Sequence, residues 1–474
     1  MTQTSPWQQE DKNRYLRLAI VMLAPLSGAL AGLFGTQQII IVALGGMAAL
    51  LSTIILLRRP PVGVLGLTIL SFLVPITIGT GTATNVHMIV PALALVVGLF
   101  LVQVSTGASY YVQPAVKWIY LSLLLFIAAT LLAFLFGQLP WYSVDPAPMS
   151  AQLAQLAILV LLPCLVPLMD RYFVTEQWLR RLVWLFLGLG SLQVVLTFFP
   201  SVRQALSFVF IQNPKSSLFW IWIVCLAFGQ AFFNRDLAGF WRIVLAGLAA
   251  AALFIGLVIS FQWASGWLPP LIGLISIMWA AKPRVAAVAT VLALMLGAFF
   301  VSDFVDLLLI NEEYSAVTRL EAWKIVTGMV MERSPLFGFG PANYHFYTTE
   351  YSILGWNVAF NTHNQYIDIL AQTGLLGTAA FLWFSVSTGT LLWRLRGYQI
   401  SSGFLRALSY SLFGGLIGML ASGMLADWFL PFVYNITLSG MRDAVPAWIF
   451  VGASLSLHKI ASGNGGSGAV QRAS

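Results

Sequence analysis

Apolar runs of about twenty residues recur along the chain from Tyr15 to Leu457, separated by short polar connections. They fall roughly at 18–35, 38–57, 62–80, 86–105, 117–136, 151–169, 181–199, 217–233, 242–261, 267–281, 285–302, 367–392, 405–425 and 445–457. About twenty apolar residues span the hydrocarbon of a bilayer as one helix. A backbone inside hydrocarbon has to satisfy its own hydrogen bonds, so each run is predicted to be helical. The run 267–281, interrupted by Pro269-Pro270, and the run 445–457 are short enough to be re-entrant or half-length, so 12 to 14 spans are expected. The predicted fold class is an all-α integral membrane protein, a polytopic bundle with one large loop that contains short amphipathic helices of its own.

Composition sharpens this picture. The chain is 59% hydrophobic and 8% charged over 474 residues, where a soluble domain carries about a quarter charged residues. A cytosolic enzyme, a nucleic-acid binder and a disulfide scaffold are excluded at this point. Cys164 and Cys225 both sit inside apolar runs without partners at metal-ligand spacing, so neither a disulfide framework nor a zinc site is implied. Residues 1–17 are too polar for a secretory leader and read as a cytoplasmic tail before a retained signal anchor. The Gly/Ser-rich 458–474 reads as a flexible tail.

The net charge of +8 becomes a topology signal once the basic residues are mapped. With the N-terminus inside, 18 Lys and Arg residues fall on the cytoplasmic side and 6 on the outer side, as the positive-inside rule expects. Both termini are then cytoplasmic. The span interiors carry no Asp, Glu, Lys or Arg, which disfavours ion-coupled transporters and proton relays. Residues 18–302 form an N-terminal membrane bundle, 303–366 a large outer loop, and 367–457 the closing helices.

That loop holds the candidate chemistry. Three positive charges (Arg319, Lys324, Arg333) stand against seven negative ones, so any phosphate bound here depends on short contacts. Thr318-x-x-Glu321 fits a capping box, and Ala316, Leu320, Trp323, Val326 and Val330 follow at helical spacing. A surface helix of about four turns is predicted, ending at Ser334-Pro335. Arg319 in its first turn would be either a diphosphate clamp beside free N–H groups or an ion-pair partner of Glu312 or Glu313. His363 stands at the mouth of the next span, where a histidine is either structural or a general base near neutral pH.

The order of these pieces matters more than any one of them. Arg319-Leu-Glu-Ala-Trp323, Pro335-Leu-Phe-Gly-Phe-Gly340, His363-Asn364-x-Tyr366 and Gly374-Leu-Leu-Gly377 together resemble the signature of the O-antigen ligase and polymerase superfamily. The resemblance implies a metal-independent, cofactor-free glycosyltransferase of the GT-C type in the bacterial cytoplasmic (inner) membrane, its site facing the periplasm. Such enzymes move a glycan from an undecaprenyl-diphosphate carrier to an acceptor: lipid A-core, another carrier-linked repeat, or a protein hydroxyl. The lipid bilayer and other polysaccharide-assembly proteins are the remaining partners, and nucleic acid is not one.

By resemblance, His363 deprotonates or orients the acceptor hydroxyl and Arg319 stabilises the leaving diphosphate. The family's second arginine is missing from Phe261-Gln-Trp-Ala-Ser-Gly-Trp267. Lys215 and Arg203 are the substitutes considered for donor diphosphate binding, Lys215 being favoured of the two, with a snorkelling interface lysine as its alternative reading. A frequent family acid is Gln372 here, so Asp368, with Asn364 and Tyr366, is the candidate support for the site, a solvated helix-start carboxylate being the alternative for Asp368. Tyr344, His345 and Trp356 are candidate glycan contacts, with loop packing as the alternative. Surface polysaccharide (O-antigen or exopolysaccharide) polymerase is slightly favoured over ligase. A protein O-oligosaccharyltransferase of the same superfamily and a flippase or transporter of a lipid-linked glycan are the other readings.

Overall fold

The computed structural model describes residues 58–73, 75, 77–79, 85–106, 112–210, 216–299 and 313–463. The expected spans at 18–35 and 38–57, Lys215, both tail ends and the start of the large loop lie outside them. The chain forms two compact units. The first comprises 1–66 and 91–111, and its described residues are the start of helix α1 (Pro60–Phe72) and most of α2 (Ile89–Thr106).

The second unit comprises 67–90 and 112–474. It opens with a small antiparallel hairpin, β1 (Thr77–Gly79) and β2 (Asn85–His87), in which Thr77 faces His87. Its helices are α3 (Lys117–Phe136), α4 (Met149–Leu161), α5 (Leu165–Tyr172), α6 (Glu176–Thr197), α7 (Pro200–Ala205), α8 (Ser217–Phe233) and α9 (Gly239–Phe254). They continue as α10 (Ala264–Ala281), α11 (Pro283–Phe299), α12 (Glu313–Arg333), α13 (Tyr344–Tyr347), α14 (Gln365–Leu395), α15 (Gly403–Ser422) and α16 (Met441–Ala461).

Among the described residues, nine helical segments are long and apolar enough to cross a membrane, and Pro60–Phe72, Ser217–Phe233 and Pro283–Leu292 are shorter apolar helices. Together they overlap every apolar run expected from residue 62 onward, but the run 62–80 is helical only to Phe72 and its second half enters the strand Thr77–Gly79. The protein is a polytopic helical membrane protein.

Two runs expected to be short are full helices. Pro269 and Pro270 lie inside the 18-residue α10. Proline removes an N–H and leaves the carbonyl four residues earlier without its helical donor; the Ser265 carbonyl is met instead by the Ser217 hydroxyl of α8. The run 445–457 is extended at its start by Met441–Ala444, where Arg442 and Asp443 pair at 3.3 Å at the end of α16.

Helix α8 is buried on nearly all sides, Leu218 through Ala227 without exception, as suits a helix that is apolar all round. It packs on α15, α9 and α10. Between α10 and α15 the approach is backbone to backbone: a Cβ on Gly414 would sit 2.5 Å from the Gly273 carbonyl oxygen, and one on Gly418 2.9 Å from that of Pro269. Small residues permit such close packing where lipid offers no hydrophobic drive between helices.

Candidate active site

The site is assembled on the first turn of α14. Asn364 caps that helix, its Oδ1 accepting from Tyr366 N at 3.0 Å and Ile367 N at 3.4 Å. With Asn364 extended (φ −143°), the preceding His363 turns the chain with φ +49°. A left-handed conformation costs a non-glycine residue about 1 kcal/mol or more, and strain of this kind concentrates at functional positions.

Neighbouring contacts hold the bend. Thr362 is fully buried, and its hydroxyl donates to Asp368 Oδ1 at 2.7 Å. Its carbonyl accepts the indole N–H of Trp323 from α12 at 2.7 Å. Arg319 stands four residues before Trp323, hence on the same helix face and about 6 Å of rise away. The Trp323–Thr362 joint thus ties the helix that carries Arg319 to the turn that carries His363. Trp323→Phe removes this hydrogen bond while keeping an aromatic ring, and about 1 kcal/mol of stability is expected to go with it. A lower melting temperature in detergent would register the loss.

Helix α12 differs from its sequence expectation in two ways. It is described from Glu313, about six turns long, so Arg319 lies in the second turn and its own backbone N–H is not among the free donors of the helix start. Its buried stripe is Ala322, Val326, Met329 and Val330, while Leu320 is 59% exposed. The stripe follows the packing of α12 against α14.

The second wall is the segment between α15 and α16, fixed from three helices. Gln365 grips Leu430 in both directions, its Nε2 donating to the carbonyl at 3.0 Å and its Oε1 accepting the N–H at 2.9 Å. Gln155 Oε1 of α4 accepts Val433 N at 2.9 Å, and the Trp448 indole of α16 donates to Phe429 O at 2.6 Å. Thus held, the segment presents Asp427 and Asn435. Asp427 Oδ2 accepts Phe432 N at 2.7 Å and Oδ1 accepts Asn435 Nδ2; the same Nδ2 lies 3.1 Å from His363 Nδ1. Burial pushes the Asp427 carboxyl up to about 6, against the pull of these donors. A second buried carboxylate, Asp368, accepts from the Tyr344 hydroxyl, and Asp427 acts on it electrostatically.

The glycine motifs are the frame. Gly338 N returns to Ser334 O at 2.9 Å, Phe339 N donates to Ala371 O at 2.8 Å, and Leu375 N donates to Pro335 O at 2.8 Å. The turn 335–340 is thereby sewn into a break in α14, where Gly374 has φ +64°. Asn343 closes the turn onto the end of α3, its Nδ2 donating to Gly137 O and Phe339 O and its Oδ1 accepting Ala147 N.

Of the other expected residues, Tyr344 is corrected. It is fully buried, stacked on Phe432 at 4.9 Å and bonded to Asp368, so it supports the site and offers no face to a sugar. His345 stacks on Tyr434 at 4.6 Å with Nδ1 3.0 Å from Phe360 O, and burial lowers its basicity. Trp356, at the end of a tight turn closed on Ile353, is 66% exposed. Tyr366 anchors α14 to Leu420 O at 2.6 Å. Gln372, in the acidic position, is buried and donates to Asp368 O at 3.1 Å. Arg203 is on the short α7. Where the second family arginine was expected, Phe261 and Trp267 stack at 5.7 Å.

Asp427 and Asn435 were not singled out from the sequence as site residues. Both stand between the last two apolar runs, outside every motif quoted above. Among the described residues no three His, Cys, Asp or Glu side chains are grouped to hold a metal ion.

His363, Asn435 and two buried carboxylates, Asp368 and Asp427, form a compact polar cluster at the start of α14 in a helical membrane protein. Residues 205–382 match the family described as O-antigen ligase. The match includes Arg319 and His363 and ends before Asp427 and Asn435. No curated protein matches the chain.

Proposed function

We propose that the protein transfers a glycan from an undecaprenyl-diphosphate carrier to an acceptor hydroxyl at the outer face of the bacterial cytoplasmic membrane, in surface polysaccharide synthesis. The observation that carries this reading is the Trp323–Thr362 joint, which ties the helix of Arg319 to the turn of His363, both within the O-antigen ligase match. The acceptor oxygen bonds to the anomeric carbon as the carbon–oxygen bond to the diphosphate breaks. Polyprenyl diphosphate leaves with that electron pair, and in net balance the hydroxyl proton goes with it. The leaving group gathers negative charge, which a positioned guanidinium stabilises most in the transition state. The excess of Lys and Arg on one set of connections supports a site on the opposite, outer side.

Polymerisation of carrier-linked repeats is favoured over ligation to lipid A-core or a protein hydroxyl, on the missing arginine of 261–267. The deciding experiment is the size profile of surface and carrier-linked glycans in a deletion strain with and without the gene restored. Single repeats in place of long chains in the deletion identify a polymerase; full-length chains stranded on the carrier identify a ligase. A profile unchanged by deletion overturns both.

Arg319→Lys keeps the charge but loses the two-pronged geometry of the guanidinium. It is expected to lower turnover about tenfold and Arg319→Ala about a hundredfold or more, measured on protein reconstituted with donor and acceptor.

A further inference from the structure

Asp427 and Asn435 lie beyond the residues that match the family, yet the Asn435 side chain is in direct contact with His363. The identity of each contacting atom follows from donor and acceptor counting. Asp427 Oδ2 accepts Phe432 N at 2.7 Å, and Oδ1 faces the Asn435 amide. An ionised carboxylate only accepts, so the amide atom facing it is the nitrogen. That nitrogen carries a second hydrogen and lies 3.1 Å from His363 Nδ1. A ring nitrogen receives such a hydrogen only through a lone pair, which puts the proton of the neutral imidazole on the other nitrogen.

We propose that Asn435, its amide oriented by Asp427, is a positioning residue that holds the neutral His363 ring with its proton on Nε2, making His363 a hydrogen-bond donor rather than a base toward the substrate. With Nδ1 engaged, any contact of the ring with substrate runs through Nε2. An N–H there acts on the oxygen of the departing diphosphate, where charge grows as the anomeric bond breaks. The acceptor's proton leaves with the diphosphate and does not need the imidazole. The inference rests on the transfer reading and deepens it, since it changes what the central histidine does.

The framework suits this task. Asn435 follows a turn pinned by Gln365, Gln155 and Trp448, and Asn435 N itself donates to Phe432 O at 3.0 Å. The amide therefore has little freedom to rotate its oxygen toward the ring, and the oxygen would then face the Asp427 carboxylate.

The test exchanges the pair, Asp427→Asn together with Asn435→Asp. One acid and one amide remain, and residue 427 still accepts Phe432 N, but the atom facing Nδ1 becomes a carboxylate oxygen that draws the ring proton to Nδ1. The protein is reconstituted in liposomes with a polyprenyl-diphosphate-linked glycan and acceptor, and kcat and KM are measured separately. The expected result is a kcat lower by at least about a hundredfold, as for a wrong histidine tautomer or a lost outer-shell partner, with the donor KM within about threefold and melting unchanged.

An exchanged pair within about threefold of wild-type kcat overturns the proposal, because a base or a merely structural pair tolerates the swap. Should the exchange not fold, His363→Gln, which keeps an N–H donor, is compared with His363→Ala. A kcat at least about tenfold higher for the glutamine is expected, and equal loss overturns the proposal. An inactive wild-type protein overturns the transfer reading itself, and the tautomer role with it.

Discussion

His363→Ala is expected to lower glycan transfer by about 100- to 1000-fold while the protein stays folded in the membrane. The rate loss is that of removing one preorganised donor aimed at developing charge. Folding is expected to survive because a polar contact such as that of the ring with Asn435 is worth about 1 kcal/mol net. The backbone supplies a sharper control. At φ +49° alanine inherits the strain of histidine, whereas His363→Gly relieves about 1 kcal/mol of it. The glycine variant is therefore expected to melt at or above the alanine variant, with both equally inactive. Turnover in liposomes and melting in detergent check the pair. Transfer at the wild-type rate by either variant would remove His363 from the mechanism, and with it the strongest reason to read this chain as an enzyme.

The membrane helices were legible because burial in lipid writes a long apolar run for each of them, and α8, α14 and α15 begin and end within a few residues of their runs. Periodicity misjudged α10 and α16, where it has no way to see that Ser217 serves the carbonyl orphaned by Pro269 or that Arg442 and Asp443 pair at a helix end. The face of α12 was rotated for a related reason. Val317 and Leu320 are apolar but exposed, and it is the contact with α14 that selects Ala322, Val326 and Met329. Within the site, Arg319 and His363 were found through an ordered motif. Asp427 and Asn435 were not, because they meet His363 through a turn held by Gln155, Gln365 and Trp448, at separations that no local pattern encodes.

Gly374→Ala is expected to be the most damaging single methyl in the second unit. Gly374 has φ +64°, and a Cβ there would lie 2.3 Å from the Leu336 carbonyl oxygen and 2.5 Å from Phe337 N. Both are backbone atoms, so no side-chain rotation makes room. The opposing Gly338 is in the same position, its Cβ 2.6 Å from Ala371 O and 2.7 Å from Gly374 N. The two glycines let the 335–340 turn and the broken helix share their hydrogen bonds, Phe339 N to Ala371 O and Leu375 N to Pro335 O. Left-handed strain and backbone overlap together are expected to cost about 2–4 kcal/mol. Because the helix of Arg319 runs into the 335–340 turn and His363 immediately precedes α14, activity should fall with stability. Gly328→Ala is the control: nothing lies within 4 Å of its Cβ, in the middle of α12, and a helical glycine replaced by alanine gains about 0.5–1 kcal/mol. Melting temperature and the fraction of monodisperse protein should drop for Gly374→Ala and hold or rise for Gly328→Ala. Equal behaviour of the two would mean that the joint between turn and helix is not what orders the site.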